Sequence, residues 1–362
     1  MIITISITLL FLILRFTVTV FNFISNPKLT KVNRQYNDLV SILIPARDEE
    51  DKILTLLESI DRQDYSNYEV IVYDDDSSDG TYAVCSVFAA NHPRFKVIKG
   101  DDLPAGWSGK KYACARLAQQ AQGKFFLFLD VDVCLANNLI NSLVHRMYLY
   151  KLSLLSLFPN QVTSTAGEKI TVPLIHYLLL NLLPLRLIYL IKSGTVSAAS
   201  GQCMMFDGGV YNKHQWHKQV SNEQNGAVEI MRLLKTERYN CEVLLSNCMI
   251  RSRKYSNYSE AIGGLGRNLI TAFNFNIPAL LLYILLVVGG PMVVLMTLNF
   301  NLIFFMTSLI ILSRIMTSLS ASEHAGHNVI LHPLQMINLV IITFLSIQKH
   351  LTKTDIWKGR KI

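Results

Sequence analysis

Two acidic clusters stand at the ends of two apolar runs, Tyr68-Glu-Val-Ile-Val-Tyr-Asp-Asp-Asp76 and Lys124-Phe-Phe-Leu-Phe-Leu-Asp-Val-Asp132. Carboxylates at strand C-termini of an open α/β sheet are where such folds bind ligands and metals. Asp130 and Asp132 are separated by one residue, and in an extended segment that spacing points both carboxylates the same way. They can then share one hard divalent cation, Mg2+ or Mn2+, which in turn grips a diphosphate. This is chemistry for a nucleotide-activated substrate.

Two further segments fit the same chemistry. Ile44-Pro-Ala-Arg-Asp-Glu-Glu50 ends an apolar run and opens a helical pattern, so backbone N–H groups and Arg47 are placed to meet an anion at a helix N-terminus. Asp74 and Asp75, ahead of Ser77-Ser-Asp-Gly-Thr81, can accept from a base or ribose donor, while the hydroxyls suit a helix N-cap. In Gly106-Trp-Ser-Gly-Lys110 the glycines permit close backbone approach and Lys110 can offset phosphate charge. The glycine spacing is not that of a Walker loop, which argues against a P-loop NTPase. His324 and His327 stand three apart, not the four of the zinc helix signature.

These residues need strands to carry them. Leu39 to Ala46, Val70 to Tyr73, Phe95 to Ile98, Phe125 to Leu129 and Leu152 to Phe158 read as strands. Between them, Ile53, Leu56, Leu57 and Ile60, then Lys111 to Gln122 and Leu139 to Tyr150, read as helices. This alternation predicts an α/β layer with a largely parallel sheet.

The chain is 51% hydrophobic and 17% charged, high for a wholly soluble protein. Ile2 to Phe23 is long enough to span a bilayer and lacks a small-residue cleavage site, which predicts an uncleaved anchor over residues 1–25. Ile277 to Leu298, Leu302 to Leu319 and Val329 to Ile347 form a second apolar region, residues 277–350, ahead of a basic tail over 351–362. Val172 to Ile191, cut by Pro173 and Pro184 and carrying His176 and Arg186, is expected to lie at the bilayer surface or to form a hydrophobic acceptor groove, in preference to a span.

The net charge of +8 gathers beside the apolar segments, at Lys28, Lys31 and Arg34 and at Lys349, Lys353, Lys358, Arg360 and Lys361. Positive-inside bias places both flanks, and the catalytic domain, in the cytoplasm of a multi-pass cell-membrane protein. Four full crossings would put the flanks on opposite faces, so the last stretch, with His332-Pro333, is expected to be re-entrant or interfacial. No basic stripe lies within the soluble core, which argues against a nucleic-acid partner. The six cysteines form no C-x-x-C and are expected as buried, reduced thiols.

The order PARDEE, DDDSSDGT, GWSGK, DVDV, SGQCMMF and the closing WKGRK resembles the family 2 glycosyltransferases of the GT-A fold. Within them it is most similar to the membrane-anchored branch of carotenoid (diaponeurosporenoate-type) and hopanoid-associated enzymes. The resemblance implies a Rossmann-like mixed sheet over residues 38–256, the interfacial segment 170–191 included, with an N-terminal transmembrane anchor and C-terminal transmembrane or interfacial helices. It implies metal-dependent, inverting transfer of a sugar from a nucleotide-diphosphate sugar to a lipid-like acceptor at the bilayer.

By the same resemblance Pro45, Ala46, Arg47 and Glu49 line the nucleotide pocket beside Asp74 and Asp75, with Asp75 on the base. Lys110 falls near the diphosphate, Asp130 and Asp132 form the metal-binding D-x-D, and Gly201-Gln202 falls on the strand beside the donor sugar. His217 and Trp357 fall on the acceptor side. Relatives carry a Glu-Asp pair, whose Asp is the general base, where this chain has Gly226-Ala227. Glu223 is the substitute base if its loop folds inward, and an acceptor that is already ionised needs none. The departure also admits a non-catalytic sugar-nucleotide-binding protein. A processive polysaccharide synthase is disfavoured, since no Gln-x-x-Arg-Trp motif occurs.

Overall fold

The computed structural model describes residues 2–352, 356–357 and 360–361, and divides into two compact units. One is built from Pro27–Asn160 and Arg186–Ser252, the other from Met1–Asn26, Gln161–Leu185 and Arg253–Lys361.

The first unit is a mixed α/β sheet. Its strands in chain order are β1 (Val40–Ala46), β2 (Tyr68–Asp74), β3 (Phe95–Lys99), β4 (Phe125–Leu129), β5 (Val133–Leu135), β6 (Leu154–Phe158), β7 (Asn160–Gln161), β8 (Cys203–Asp207), β9 (Cys241–Leu245) and β10 (Ile250–Ser252). Seven of them form one sheet in the order β3-β2-β1-β4-β8-β6-β9. β1 runs parallel to β2 and β4, whereas β8 is antiparallel to β4 and β6. β1 and β2 end together, Ala46 opposite Asp74. The chain leaves β1 on one side and returns on the other at β4, which makes a crevice at the strand C-termini.

Continuous apolar runs form these strands because both faces are covered. All five residues of β4 are buried, and Ile53, Leu56, Leu57 and Ile60 of the helix Glu50–Asp61 close one face at helical spacing. Each such side chain contributes about 1.5–3 kcal/mol on full burial. One buried charge cluster of this unit is matched internally: Arg146 grips Glu242 through two bonds of 2.6 Å, and Arg186 adds a third at 3.0 Å.

The second unit is helical. Ile2–Ser25, Ile277–Leu295, Phe300–Ala321 and His332–Thr352 are each long and apolar enough to cross a membrane. Ile277–Leu295 is interrupted by a π-helical turn, Leu285–Gly289, ahead of Gly290-Pro291. His332-Pro333 opens its helix instead of interrupting it, since proline is tolerated in a first helical turn.

Pro173 and Pro184 break the 170–191 segment into helices Leu174–Leu182 and Leu185–Leu190. Residues 161–185 cluster with the apolar helices, and residues 186–252 with the sheet. The physical reason is that Leu174 and Tyr177 are buried with Ile262, Leu269, Leu280 and Leu339. In the tail, β11 (Ile356–Trp357) pairs with β12 (Arg360–Lys361), and the Trp357 side chain lies outside the described residues.

Candidate active site

The loops after β1 and β2 are sewn together. Asp48 N–H donates to Ser77 Oγ at 3.0 Å, Glu49 N–H to Thr81 Oγ1 at 2.8 Å, and Glu50 N–H to the Asp79 carboxylate at 3.1 Å. In return Asp48 accepts from Ser78 N–H at 2.7 Å, and Glu50 from Gly80 N–H at 2.9 Å. The amides expected to greet an anion at this helix N-terminus therefore already have acceptors. The Ser77–Thr81 run fastens the two loops, and Gly80 holds the N-cap position of the helix Thr81–Asn91 without a side-chain cap.

Arg47 crosses the same gap, its Nη1 donating to the Asp75 carbonyl at 2.5 Å, while Asp75 N–H donates to Ala46 at 2.8 Å. Asp74 and Asp75 are both buried, at 2% exposure. Asp74 Oδ2 accepts from Ser77 N–H at 3.3 Å, whereas its buried Oδ1 has no partner. An orphaned carboxylate oxygen at a strand end is where a ligand donor would be stabilised. Pro45 is partly exposed beside it.

Asp130 and Asp132 do not lie in an extended segment. β4 stops at Leu129, and Val131-Asp132 form a turn into β5. The two carboxylates are instead held by different partners. Asp130 N–H donates to the Gln202 carbonyl at 3.1 Å, and the Asp130 carboxylate is paired with the Lys110 ammonium. Asp132 accepts at both oxygens, 3.1 Å each, from Gln202 Nε2, which also reaches Ser252 Oγ at 2.8 Å. Gly201 and Gln202 form the turn ahead of β8 and are not within the strand.

The helix Gly109–Gln120 presents Lys110 and Lys111 in its first turn. Burial works against the Lys110 charge, but Asp130 beside it raises its pKa overall. Burial pushes Lys111 down to about 8, opposed by Glu223 and reinforced by Lys110. The Lys111 ammonium bonds the Glu223 carbonyl, so it fixes the loop while the Glu223 side chain stays exposed. A Cβ on Gly201 would lie 3.7 Å from Lys110 Nζ and 3.6 Å from Ala227 Cβ, and one on Gly226 would lie 2.8 Å from Lys111 Cε. Gly226-Ala227, at the start of the helix Gly226–Thr236, thus faces the two lysines. Glu229 is paired with Arg232 at 2.5 Å.

His217, expected on the acceptor side, is buried in an aromatic cluster. Its Nδ1 is 2.7 Å from Tyr211 Oη, and its ring centroid is 4.7 Å from that of Phe128. Burial, then Lys110 and Lys111, push it down to about 3, so the ring is neutral. Lys111 and Ser252 were not singled out from the sequence. The doubled lysine was a visible signal for the first, and nothing local marks the second.

Among the described residues no three His, Cys, Asp or Glu side chains gather as a metal cluster. Two carboxylates on one turn nevertheless fit Mg2+ or Mn2+, which binds one or two protein carboxylates and completes its shell with waters and substrate phosphates. The Lys110 ammonium against Asp130 shows that this turn draws positive charge.

A mixed sheet with its acids gathered at the strand ends defines a GT-A-type transferase fold. Residues 41–215 match the family described as Glycosyl transferase family 2, and the chain therefore carries a domain of that family. The chain is 36% identical over 98 residues to the 4,4'-diaponeurosporenoate glycosyltransferase of Staphylococcus haemolyticus (strain JCSC1435), covering 27% of this chain and 25% of that one. It is 34% identical over 108 residues to the UDP-Glc:alpha-D-GlcNAc-diphosphoundecaprenol beta-1,3-glucosyltransferase WfgD of Escherichia coli, covering 28% and 38%. The matched part thus spans well under two thirds of either relative. The mannosyltransferase PcManGT from Pyrobaculum calidifontis, in complex with GDP-Man and Mn2+, shares the fold over 97% of this chain and 100% of that one, at TM-score 0.59 and 13% identity.

Proposed function

We propose that this chain is a membrane-associated, inverting glycosyltransferase that moves a sugar from a nucleotide-diphosphate sugar to a lipid-like acceptor. The observation that carries the reading is the meeting of Lys110–Asp130 and Gln202–Asp132 at the C-terminal end of β4, beside Gly201. The names of the two relatives, one acting on a carotenoid and one on a diphosphoundecaprenol-linked sugar, support a lipid-like acceptor. The complex of the mannosyltransferase with GDP-Man and Mn2+ supports the donor class and the metal.

In this reading Asp74 and Asp75 accept from the base or ribose, with Pro45, Ala46, Arg47 and Glu49 walling the pocket. Asp130 and Asp132 would hold the divalent cation, which when bound neutralises charge on the departing diphosphate. Gln202 orients Asp132, and Lys110, paired with Asp130, is the ammonium that would face the diphosphate. Glu223 is the first carboxylate ahead of the missing base, and Glu229, just past it, is paired with Arg232. Glu223 is exposed ahead of the helix Gly226–Thr236 and acts only if its loop turns inward.

A second reading, a sugar-nucleotide-binding protein without turnover, is favoured by Ala227, which puts a methyl group against Gly201 where a base would be useful. Nucleotide release from a panel of nucleotide sugars in detergent, with Mg2+ or Mn2+ and a membrane lipid extract, separates the two. Asp132→Ala is expected to abolish metal-dependent release, and Glu223→Ala to lower it about 10²-fold if Glu223 is the base. Donor binding without release under every condition would leave the second reading standing.

A further inference from the structure

The helical unit contains a buried charge that its own side chains match only in part. Arg15 in Ile2–Ser25 and Arg314 in Phe300–Ala321 are 5% and 1% exposed. Both approach one ring, with Cζ 4.9 Å and 4.4 Å from the Tyr177 centroid, and Arg15 is also 5.5 Å from Tyr283. The His332 ring is 5.7 Å from that of Tyr177. Arg314 is satisfied by the Asn328 carbonyl at 3.3 Å and by Gln335 Oε1.

Arg15 is different. Its buried Nε and Nη2 find no acceptor, and the buried Tyr283 Oη and His332 Nδ1 are also without partners. Glu323, the acid that acts on Arg314, is already taken by His176 Nδ1 at 2.7 Å and Asn328 Nδ2 at 2.8 Å. The aromatic rings attract the face of a guanidinium, and Tyr177 also bonds its edge, but Nε and Nη2 lie in its plane and stay unsatisfied. Buried polar groups are almost always paired. The buried arginine of the sheet unit, Arg146, obeys this rule through Glu242.

We propose that Arg15, Tyr283 and His332 form a binding site for the phosphate of an anionic membrane lipid. A phosphate oxygen can accept from Nε and Nη2 of Arg15 together, the fork geometry that arginine offers phosphates, and from the tyrosine hydroxyl. The source is a lipid because both arginines sit in helices long and apolar enough to span a bilayer, where ionisable residues mark binding sites and basic pockets take headgroups. The inference rests on the helical unit lying in a bilayer and does not depend on the transfer reaction.

The test places the full chain in nanodiscs of phosphatidylcholine with or without phosphatidylglycerol, and counts retained lipid by native mass spectrometry. Wild-type protein is expected to retain phosphatidylglycerol, Arg15→Met to bind it at least about 10-fold more weakly, and Tyr283→Phe about 3- to 10-fold more weakly. Tyr283→Phe keeps the ring and deletes only the donor, so it decides the matter if Arg15→Met fails to fold. Equal retention by wild type and Tyr283→Phe would overturn the site. Inorganic phosphate that raises the melting temperature in phosphatidylcholine discs as much as phosphatidylglycerol does would overturn the lipid assignment.

Discussion

A methyl group at Ala227, 3.6 Å from where a side chain on Gly201 would begin, leaves the start of its helix without a proton acceptor near Lys110. Ala227→Asp would restore one, at a helix N-terminus that favours negative charge. With a hydroxyl acceptor, nucleotide release is expected to rise at least about 10-fold, since a positioned base is worth ~10²–10⁴. An unchanged rate would show that the acceptor arrives ionised or that another base serves. His217 carries a prediction of opposite character. Its pKa is pushed from the ordinary value down to about 3, so between pH 6.5 and 3 the unfolded chain binds a proton that the folded chain refuses. Stability therefore falls on acidification through that window, by about 2 kcal/mol between pH 6.5 and 5. His217→Gln, which can still meet Tyr211, should flatten the thermal-unfolding profile there. At this scale the acids were legible in the sequence because apolar runs end on them. The partners of Asp132 were not, since Gln202 is 70 residues away, and neither were the side chains that occupy the amides of Asp48 to Glu50 from a loop 29 to 32 residues on.

The elements were more legible than their partners. β4 is an unbroken apolar run, β1 and β2 are apolar apart from Ser41, Glu69 and the closing Asp74, and the helix Glu50–Asp61 shows its buried face at helical spacing. β8 was visible only through its motif, because Cys-Met-Met-Phe-Asp has no alternation and an antiparallel pairing leaves no local mark. Cys248 escaped the expectation of buried thiols. It is exposed, in a turn between β9 and β10 where no strand covers it. The approach to β4 is fixed by Gly123, where a Cβ would fall 2.6 Å from Ser41 N and 2.8 Å from Leu39 O. Both are backbone atoms that paired strands cannot yield. Gly123→Ala is therefore expected to cost about 1–3 kcal/mol, read as a lowered unfolding midpoint. Gly106→Ala, at φ +80° with nothing near its Cβ, should cost about 1 kcal/mol through backbone conformation alone.

On the scale of the whole molecule charge and span number pull in opposite directions. Three helices follow the sheet unit, each long and apolar enough to cross, and three crossings would carry Lys349, Lys353, Lys358, Arg360 and Lys361 to the face opposite Lys28, Lys31 and Arg34. Positive-inside bias opposes that arrangement. His332–Thr352 is the least apolar of the four candidate spans. It buries Gln335, Asn338, Thr343 and Ser346, which bond Lys169 O at 3.0 Å, Ile170 O at 2.9 Å, Leu339 O at 2.7 Å and Ile270 N–H at 3.0 Å. A helix that spends its polar side chains on neighbouring backbone is suited to lie along an interface as well as to cross. Cys248, as the exposed thiol, reports the side of the sheet unit without any engineering. A membrane-impermeant maleimide should label it in inverted vesicles, and a protease should remove a C-terminal tag in those same vesicles. A tag protected there while Cys248 is labelled would mean that all three helices cross, and that the buried polar contacts of His332–Thr352 hold it upright against the pull of the basic tail.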